Sequence, residues 1–203
     1  RGLGDVYKRQ TYEACKAFCD ANGIDFNYFK PTGDSDAERI AQVEAAIDEG
    51  YNVIVMPGYL FAAAIGECQP TYPDVKFIAL DVSEYDLTSN GVDLSKASNL
   101  FSAVYQEELS GYMAGYAAVK MGYKKLGFLG GMEVPAVQRF GYGFVQGAND
   151  AAVELGIAAD VSCEYVYGGK FMGDADITAY MDNWYATKAV SYTHLRAHET
   201  TLH

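Results

Sequence analysis

Three short apolar segments, each ending in residues that stop a strand, constrain the fold more than any other feature of this sequence. They read NVIVMPG at 52–58, DVKFIALD at 74–81 and KKLGFLGG at 124–131. Short runs of this kind are typical of strands that are buried on both faces of a parallel sheet. Segments with helical spacing lie between them, so the sequence predicts an α/β fold with parallel sheets.

The rest of the chain continues this alternation. Asp34 or Ser35 is a suitable N-cap for a helix that Gly50 ends, and Pro135 suits the first turn of another helix. The remaining predicted elements are helices at 12–22, 60–68, 105–121, 134–156 and 174–187, strands at 24–29, 98–104 and 160–169, and a polar loop from 82 to about 96. One face of helix 105–121 carries small residues that we expect to pack closely on a sheet: Gly111, Ala114, Gly115 and Ala118.

The pattern divides the chain into two lobes. Gly122 ends a helix and Lys124 begins a new strand–helix series, so we expect an N-terminal lobe at 11–121 and part of a second lobe at 124–189. We interpret residues 1–10 and 190–203 as foreign tails, because RGLGDVYKRQ and VSYTHLRAHET resemble translated sequencing adapters. All three histidines, His194, His198 and His203, fall in the second tail, so we predict no metal site.

Charge and cysteine content exclude several functions. The formal net charge is −12, which opposes sequence-independent binding of nucleic acid and of anionic membranes. The apolar run at 111–119 is much shorter than the roughly 20 residues of a transmembrane helix. The four cysteines form no C-x-x-C pair, so zinc and thioredoxin-like sites lack support and small buried side chains are favoured: Cys15, Cys19, Cys68 and Cys163.

The loops that follow the strands are the predicted site, since ligands of open α/β sheets bind beyond the carboxyl ends of the strands. Gly130-Gly131 lacks the spacing of a dinucleotide or phosphate-binding loop, and Glu133 would repel a phosphate there. Asp81 and Asp174 could form a carboxylate pair, but no core histidine or nucleophile motif accompanies them. Binding is therefore favoured over catalysis, and we predict neither catalytic residues nor a cofactor.

Several motifs, in order along residues 11–188, resemble the basic membrane protein family, the purine-nucleoside-binding lipoproteins of ABC transporters. The glycine segment carries the family's hallmark pattern, and VIVMPGYLF, YPDVKFIALD, EELSGYMAGYAA and YGGKFMGDAD are similar to further family motifs. The hallmark matches are Gly127, Gly130, Gly131, Met132, Pro135, Phe140, Gly143 and Gly147.

The resemblance implies a type I periplasmic-binding-protein fold with two Rossmann-like lobes, the second incomplete, and a nucleoside in the interlobe cleft. It implies that Asp81 hydrogen-bonds the nucleobase and that Phe171 stacks on it, with Gly58, Tyr59, Gly131 and Met132 lining the cleft. The implied partners are a nucleoside-like small molecule and an ABC permease, without nucleic acid. The implied location is extracytoplasmic, with a lipid anchor as the only contact with the membrane.

The chain also departs from the family pattern. The first strand with its second stacking aromatic, the later strands of lobe two, the signal peptide and the lipid-attachment cysteine are not found in it, so we expect the fragment itself not to bind ligand tightly. Two alternatives remain open at this stage. One is the effector-binding core of a sugar-responsive transcription regulator, and the other is a Rossmann-like nucleotide enzyme.

Overall fold

The computed structural model describes the backbone of residues 3–187 and 191–194 and the side chains of residues 9–187. The chain divides into two compact units between Tyr105 and Gln106. We call residues 4–105 the first unit and the part from Gln106 onward the second unit. The parallel sheets and intervening helices confirm the predicted α/β class.

In the first unit the elements are α1 (Leu3–Asn22), α2 (Asp36–Asp48), β1 (Val53–Pro57), α3 (Ala62–Thr71), β2 (Lys76–Leu80), α4 (Glu84–Ser89) and β3 (Leu100–Ala103). In the second unit they are α5 (Glu107–Lys120), β4 (Lys125–Gly130), α6 (Pro135–Glu154), β5 (Ser162–Tyr167), α7 (Ala175–Thr187) and β6 (Ser191–His194).

The first unit is built on the parallel sheet β1-β2-β3. Alternate residues of β2, Phe77 and Ala79, are buried and pack with Ile54 and Met56 of β1 and with apolar residues of α2 and α3. Ser35 caps α2 by accepting a hydrogen bond from the backbone N–H of Glu38, which confirms one of the two expected N-caps. This core fixes the ends of the strands at one edge of the sheet.

The second unit is built on the parallel sheet β5-β4-β6, and helices cover both of its faces. Phe128 of β4 packs with Phe144 of α6 on one face. Leu129, which points to the opposite face because side chains alternate along a strand, packs with Met181 and Trp184 of α7. This double covering explains why KKLGFLGG is apolar almost throughout.

The stripe of small residues on α5 packs against a helix, so the expected helix–sheet contact is wrong. A β-carbon added at Gly111 would lie 2.0 Å from the carbonyl oxygen of Phe140 on α6. One added at Gly147 of α6 would lie 2.0 Å from the carbonyl oxygen of Tyr112. Because α5 and α6 touch backbone to backbone, α5 belongs to the second unit, and the division lies before this helix instead of after it.

Three local expectations also differ from the structure. Residues 24–29 form no strand: the N–H of Ile24 donates to the carbonyl of Cys19 in α1 instead of to a neighbouring strand, although Phe29 packs on Tyr51 with ring centroids 5.6 Å apart. The predicted polar loop contains α4, which a capping box between Ser83 and Asp86 stabilises. Helix α1 begins at Leu3 rather than near residue 12, because no proline interrupts the segment before it.

The segments interpreted as tails are described only in part. Helix α1 includes residues 3–10, and β6 at 191–194 pairs in parallel with β4. His198 and His203 lie outside the described residues. None of the helices in the described ranges is long and apolar enough to cross a membrane.

Candidate ligand-binding residues at the strand ends

Gly58, Tyr59 and Asp81 lie where β1 and β2 end, as the strand-edge argument predicted. The backbone N–H of Gly58 donates to the carbonyl of Leu80 at 2.7 Å, and its φ of 115° is a conformation that favours glycine. Tyr59 follows directly and is half-buried; burial, and after it the nearby carboxylates, Asp81 among them, raise the pKa of its phenol. The first unit therefore brings an aromatic hydroxyl and a carboxylate into one electrostatic environment.

Asp81 has a strained backbone. Its φ of 60° is positive, which within the described residues is otherwise seen only for glycines. Its N–H donates to the carbonyl of Ala103 at 2.7 Å, and its exposure is only 9%. Non-glycine residues with positive φ persist where the surroundings hold them there, and such residues cluster at functional sites.

Arg39 is a charged residue near this edge that the sequence argument missed. It is 6% exposed, and its guanidinium forms ion pairs with Asp34 and Asp36 on the rim of the first unit. Its positive charge acts on Tyr59 in the direction opposite to the carboxylates. A signal was present in the sequence, because Arg39 shares the buried face of α2 with Val43 and Ala46.

Gly131, Met132 and Phe171 lie at the ends of β4 and β5 in the second unit. A β-carbon added at Gly131 would lie 2.5 Å from Cδ1 of Phe171, so the ring rests directly on this glycine. Met132 is exposed. A cavity of about 20 Å³ remains beside the ring, which is room for about one water molecule. Phe171 is thus packed against the protein on one side.

Asp174 has a structural role at the start of α7. One of its oxygens accepts the backbone N–H of Ile177 at 2.8 Å at the start of α7, and the carboxylate forms an ion pair with Lys170. The hydrogen bond from Lys170 and the one from Ile177 lower the pKa of Asp174. A carboxylate held ionised in this way is a poor general acid.

A larger cavity, of about 590 Å³, lies in the second unit between α6 and β5, and sequence reasoning gave no sign of it. Tyr142 of α6 and Tyr165 and Tyr167 of β5 line it together with Glu108 and Arg139. It has no lining residue in common with the small cavity beside Phe171.

The described residues contain no cluster of three or more histidine, cysteine or carboxylate side chains that could hold a metal ion. Burial raises the pKa of the Cys68 thiol to about 11, and Cys68 packs in the core of the first unit as a small apolar side chain. Burial likewise raises the pKa of Cys163 to about 11. Raised thiol pKa values suppress thiolate chemistry at neutral pH.

Comparison with known families gives a match over most of the chain. The family described as "ABC transporter substrate-binding protein PnrA-like" matches residues 4–166.

Curated relatives agree with this match. An uncharacterized lipoprotein of Pyrococcus abyssi is 26% identical over 177 residues, which are 87% of this chain and 42% of the relative. The ABC transporter nucleoside-binding protein BmpA of Lactococcus lactis subsp. cremoris is 27% identical over 176 residues, which are 84% of this chain and 45% of the relative. The chain thus spans less than half the length of these relatives.

Solved structures show the fold. A solute-binding protein of an ABC transporter system from Aeropyrum pernix K1 superposes with a TM-score of 0.63 at 20% identity, covering 94% of this chain and 50% of that one. A transcriptional activator of the comK gene from Bacillus halodurans has a TM-score of 0.61 at 18% identity, covering 91% and 58%. The fold is that of type I periplasmic binding proteins, which transport proteins and regulators share.

Proposed function

The chain belongs to the family of PnrA-like ABC transporter substrate-binding proteins, and from this membership we propose that it is part of a protein that binds a purine nucleoside or a related small molecule for import. The family consists of substrate-binding proteins of ABC transporters and not of enzymes. The proposed role is therefore to capture a ligand and deliver it, without chemical change.

The proposal rests on the position, burial and backbone conformation of Asp81. A buried carboxylate at the end of β2, held with positive φ, is suited to accept hydrogen bonds from N–H or O–H groups of a ligand. Nucleobases and ribose supply such donors. A ligand that supplies such donors gains hydrogen bonds to this carboxylate that a ligand without them does not, which gives discrimination as well as affinity.

Phe171 supplies the second part of the proposed recognition. A flat aromatic ring has little rotamer freedom to lose and offers a stacking surface for a flat base. Because one side of Phe171 rests on Gly131, the base would stack on its other side. We assign Gly58, Tyr59 and Met132 to the lining of the ligand site, and the nucleoside-binding relative BmpA supports this class of ligand.

The proposed partner is the permease of an ABC importer, and the proposed location is outside the cytoplasm on a lipid anchor. Relatives named as lipoproteins support the anchor. Regulators share the fold, but this likeness concerns the fold alone, and family membership favours transport over an effector-binding core. The same membership, with the unsuitable glycine spacing of residues 127–131, argues against a Rossmann-like enzyme.

The test is a calorimetric titration with a panel of ligands: adenosine, guanosine, inosine, cytidine, ribose and glucose. It uses the longest protein that the gene encodes and, in parallel, the 203-residue chain. We expect saturable heat from purine nucleosides and none from glucose. Clear binding of a sugar, with no heat from any nucleoside, would contradict the proposed ligand class.

A further inference from the structure

The contact between Gly131 and Phe171 leaves no room for a side chain on the glycine. An added β-carbon would lie 2.5 Å from Cδ1 and 2.9 Å from Cε1 of the ring, and 3.1 Å from the carbonyl oxygen of Lys170. Distances below 3 Å require the ring or the backbone to move. The absence of a side chain at Gly131 therefore allows the ring of Phe171 to lie directly against the backbone at this place.

A glycine turn brings Phe171 to this place. The N–H of Gly168 donates to the carbonyl of Gly130, and the N–H of Gly169 donates to the carbonyl of Gly131, each at 2.8 Å. These bonds extend the pairing of β4 and β5 by two residues. Gly169 then has a φ of 76°, a left-handed conformation that turns the chain back over Gly131.

The loop that carries Phe171 is also linked to the start of α7. Lys170 forms an ion pair with Asp174, whose carboxylate also accepts the N–H of Ile177. Residues on both sides of Phe171 are thus tied to regular elements of the second unit. The side chain of Met172 is 70% exposed, so the neighbouring position does not share this restraint.

We propose that Gly131 is a positioning residue that holds the Phe171 ring in its stacking orientation and does not itself recognise the ligand. This inference rests on the proposed function, because it names how one of the ligand-binding side chains is oriented. It gives Gly131 a different task from lining the ligand site. The backbone of Gly131 acts through the ring, and the ring contacts the base.

The packing is tested first by stability, without any ligand. Gly131→Ala, Phe171→Ala and the double variant are unfolded in urea, with the fluorescence of Trp184, the single tryptophan, reporting on the second unit. We expect Gly131→Ala to lower the urea midpoint clearly. In the Phe171→Ala background it should lower the midpoint little, because the added methyl group no longer overlaps with an aromatic ring. Met172→Ala is the matched control and should not change the midpoint. Equal losses in both backgrounds would overturn the packing role.

The link to ligand binding is tested with the same substitutions in the longest protein that the gene encodes, titrated with inosine and with ribose. We expect Gly131→Ala and Phe171→Ala each to weaken inosine binding by about tenfold or more, since base stacking on an aromatic ring has that magnitude. The double variant should bind inosine no more weakly than Phe171→Ala, and the affinity for ribose should stay the same in all variants. A merely structural defect would lower both affinities together and would overturn the inference.

The two parts separate the inference from the proposed function. Stability coupling between Gly131 and Phe171 without binding of any nucleoside would overturn the proposed function and leave the packing role standing. Nucleoside binding that Gly131→Ala weakens equally in the Phe171→Ala background would overturn the positioning role and leave the function standing.

Discussion

The backbone of Gly115 lies directly against the carbonyl of Phe144, so that a β-carbon on this glycine would be 1.9 Å from the oxygen. The opposite helix has the same kind of contact: a β-carbon added at Gly143 would lie 2.0 Å from the carbonyl oxygen of Glu108. The Nε of Arg139 also donates to the buried carboxylate of Glu107 at 2.6 Å. Helices α5 and α6 are thus joined closely, which fixes α5 to the second unit.

Gly115→Ala tests this helix contact. Helix propensity alone would favour alanine by about 1 kcal/mol. Because the methyl group cannot fit against the Phe144 carbonyl, we expect the opposite sign, a net loss of about 2 kcal/mol in the free energy of unfolding. Urea unfolding measures it. The control is Ser110→Ala on the exposed face of α5, which should be neutral or slightly stabilising. Unchanged or increased stability of Gly115→Ala would contradict the close packing.

A buried amide stabilises the first unit. The Nδ2 of Asn99, which is 5% exposed, donates to the carbonyls of Gln69, Tyr72 and Val75 at 3.0–3.2 Å, and its oxygen accepts from the Gln69 amide. Asn99→Ala would leave these groups without their donor, and we expect a loss of about 2–3 kcal/mol. Thermal unfolding followed by circular dichroism measures it.

Asn90→Ala is the matched control for this experiment, since Asn90 is exposed and its side-chain amide donates to the Asp86 carbonyl at the surface. We expect a loss below about 1 kcal/mol for this variant. If both substitutions cost the same, the buried network around Asn99 does not have the proposed importance.

Alkaline pH should destabilise the protein before lysines deprotonate. Burial raises the pKa of Cys68 and of Cys163 from 9.0 to about 11, and burial also raises the pKa of Tyr165. The unfolded thiols ionise near pH 9 while the folded ones stay neutral. Stability is therefore fully present below pH 9 and falls as the pH rises to 11, with a slope of at most about 1.4 kcal/mol per pH unit for each thiol.

The check is the free energy of unfolding at several pH values between 8 and 11, monitored by Trp184. Cys163→Ala should make the decline shallower, whatever its effect on stability at pH 8. A profile that stays flat to pH 11, or a slope that Cys163→Ala leaves unchanged, would contradict the assigned thiol pKa.

Sequence patterns predicted the central strands well because short apolar runs mark them, although only β4 is buried along almost its whole length, while β1 and β2 bury alternate residues. Phe77 and Ala79 face one core and Phe128 another, and each lies in an uninterrupted apolar run. The stripe of Gly111 and Gly115 was equally visible, but spacing alone does not say whether a helix or a sheet will contact it. The matching spacing of Gly143 and Gly147 was the available signal for a helix pair.

The positions of the candidate ligand-binding residues were predictable only where the backbone determines them. Gly58 and Asp81 were placed correctly at the sheet edge because the carboxyl ends of parallel strands meet there. The approach of Phe171 to Gly131 depends on side-chain packing and on the course of a loop. Local sequence does not encode such non-local contacts in a readable way.

The most direct test of the account is the affinity for a purine nucleoside of the protein and of its Asp81→Asn variant, measured by calorimetric titration with the longest protein that the gene encodes. Asparagine tolerates the positive φ at this position, so the variant should fold while it lacks the carboxylate. We predict saturable binding to the unmodified protein and at least about tenfold weaker binding to Asp81→Asn. Equal affinity of the two proteins, or no binding to the unmodified one, would contradict the account.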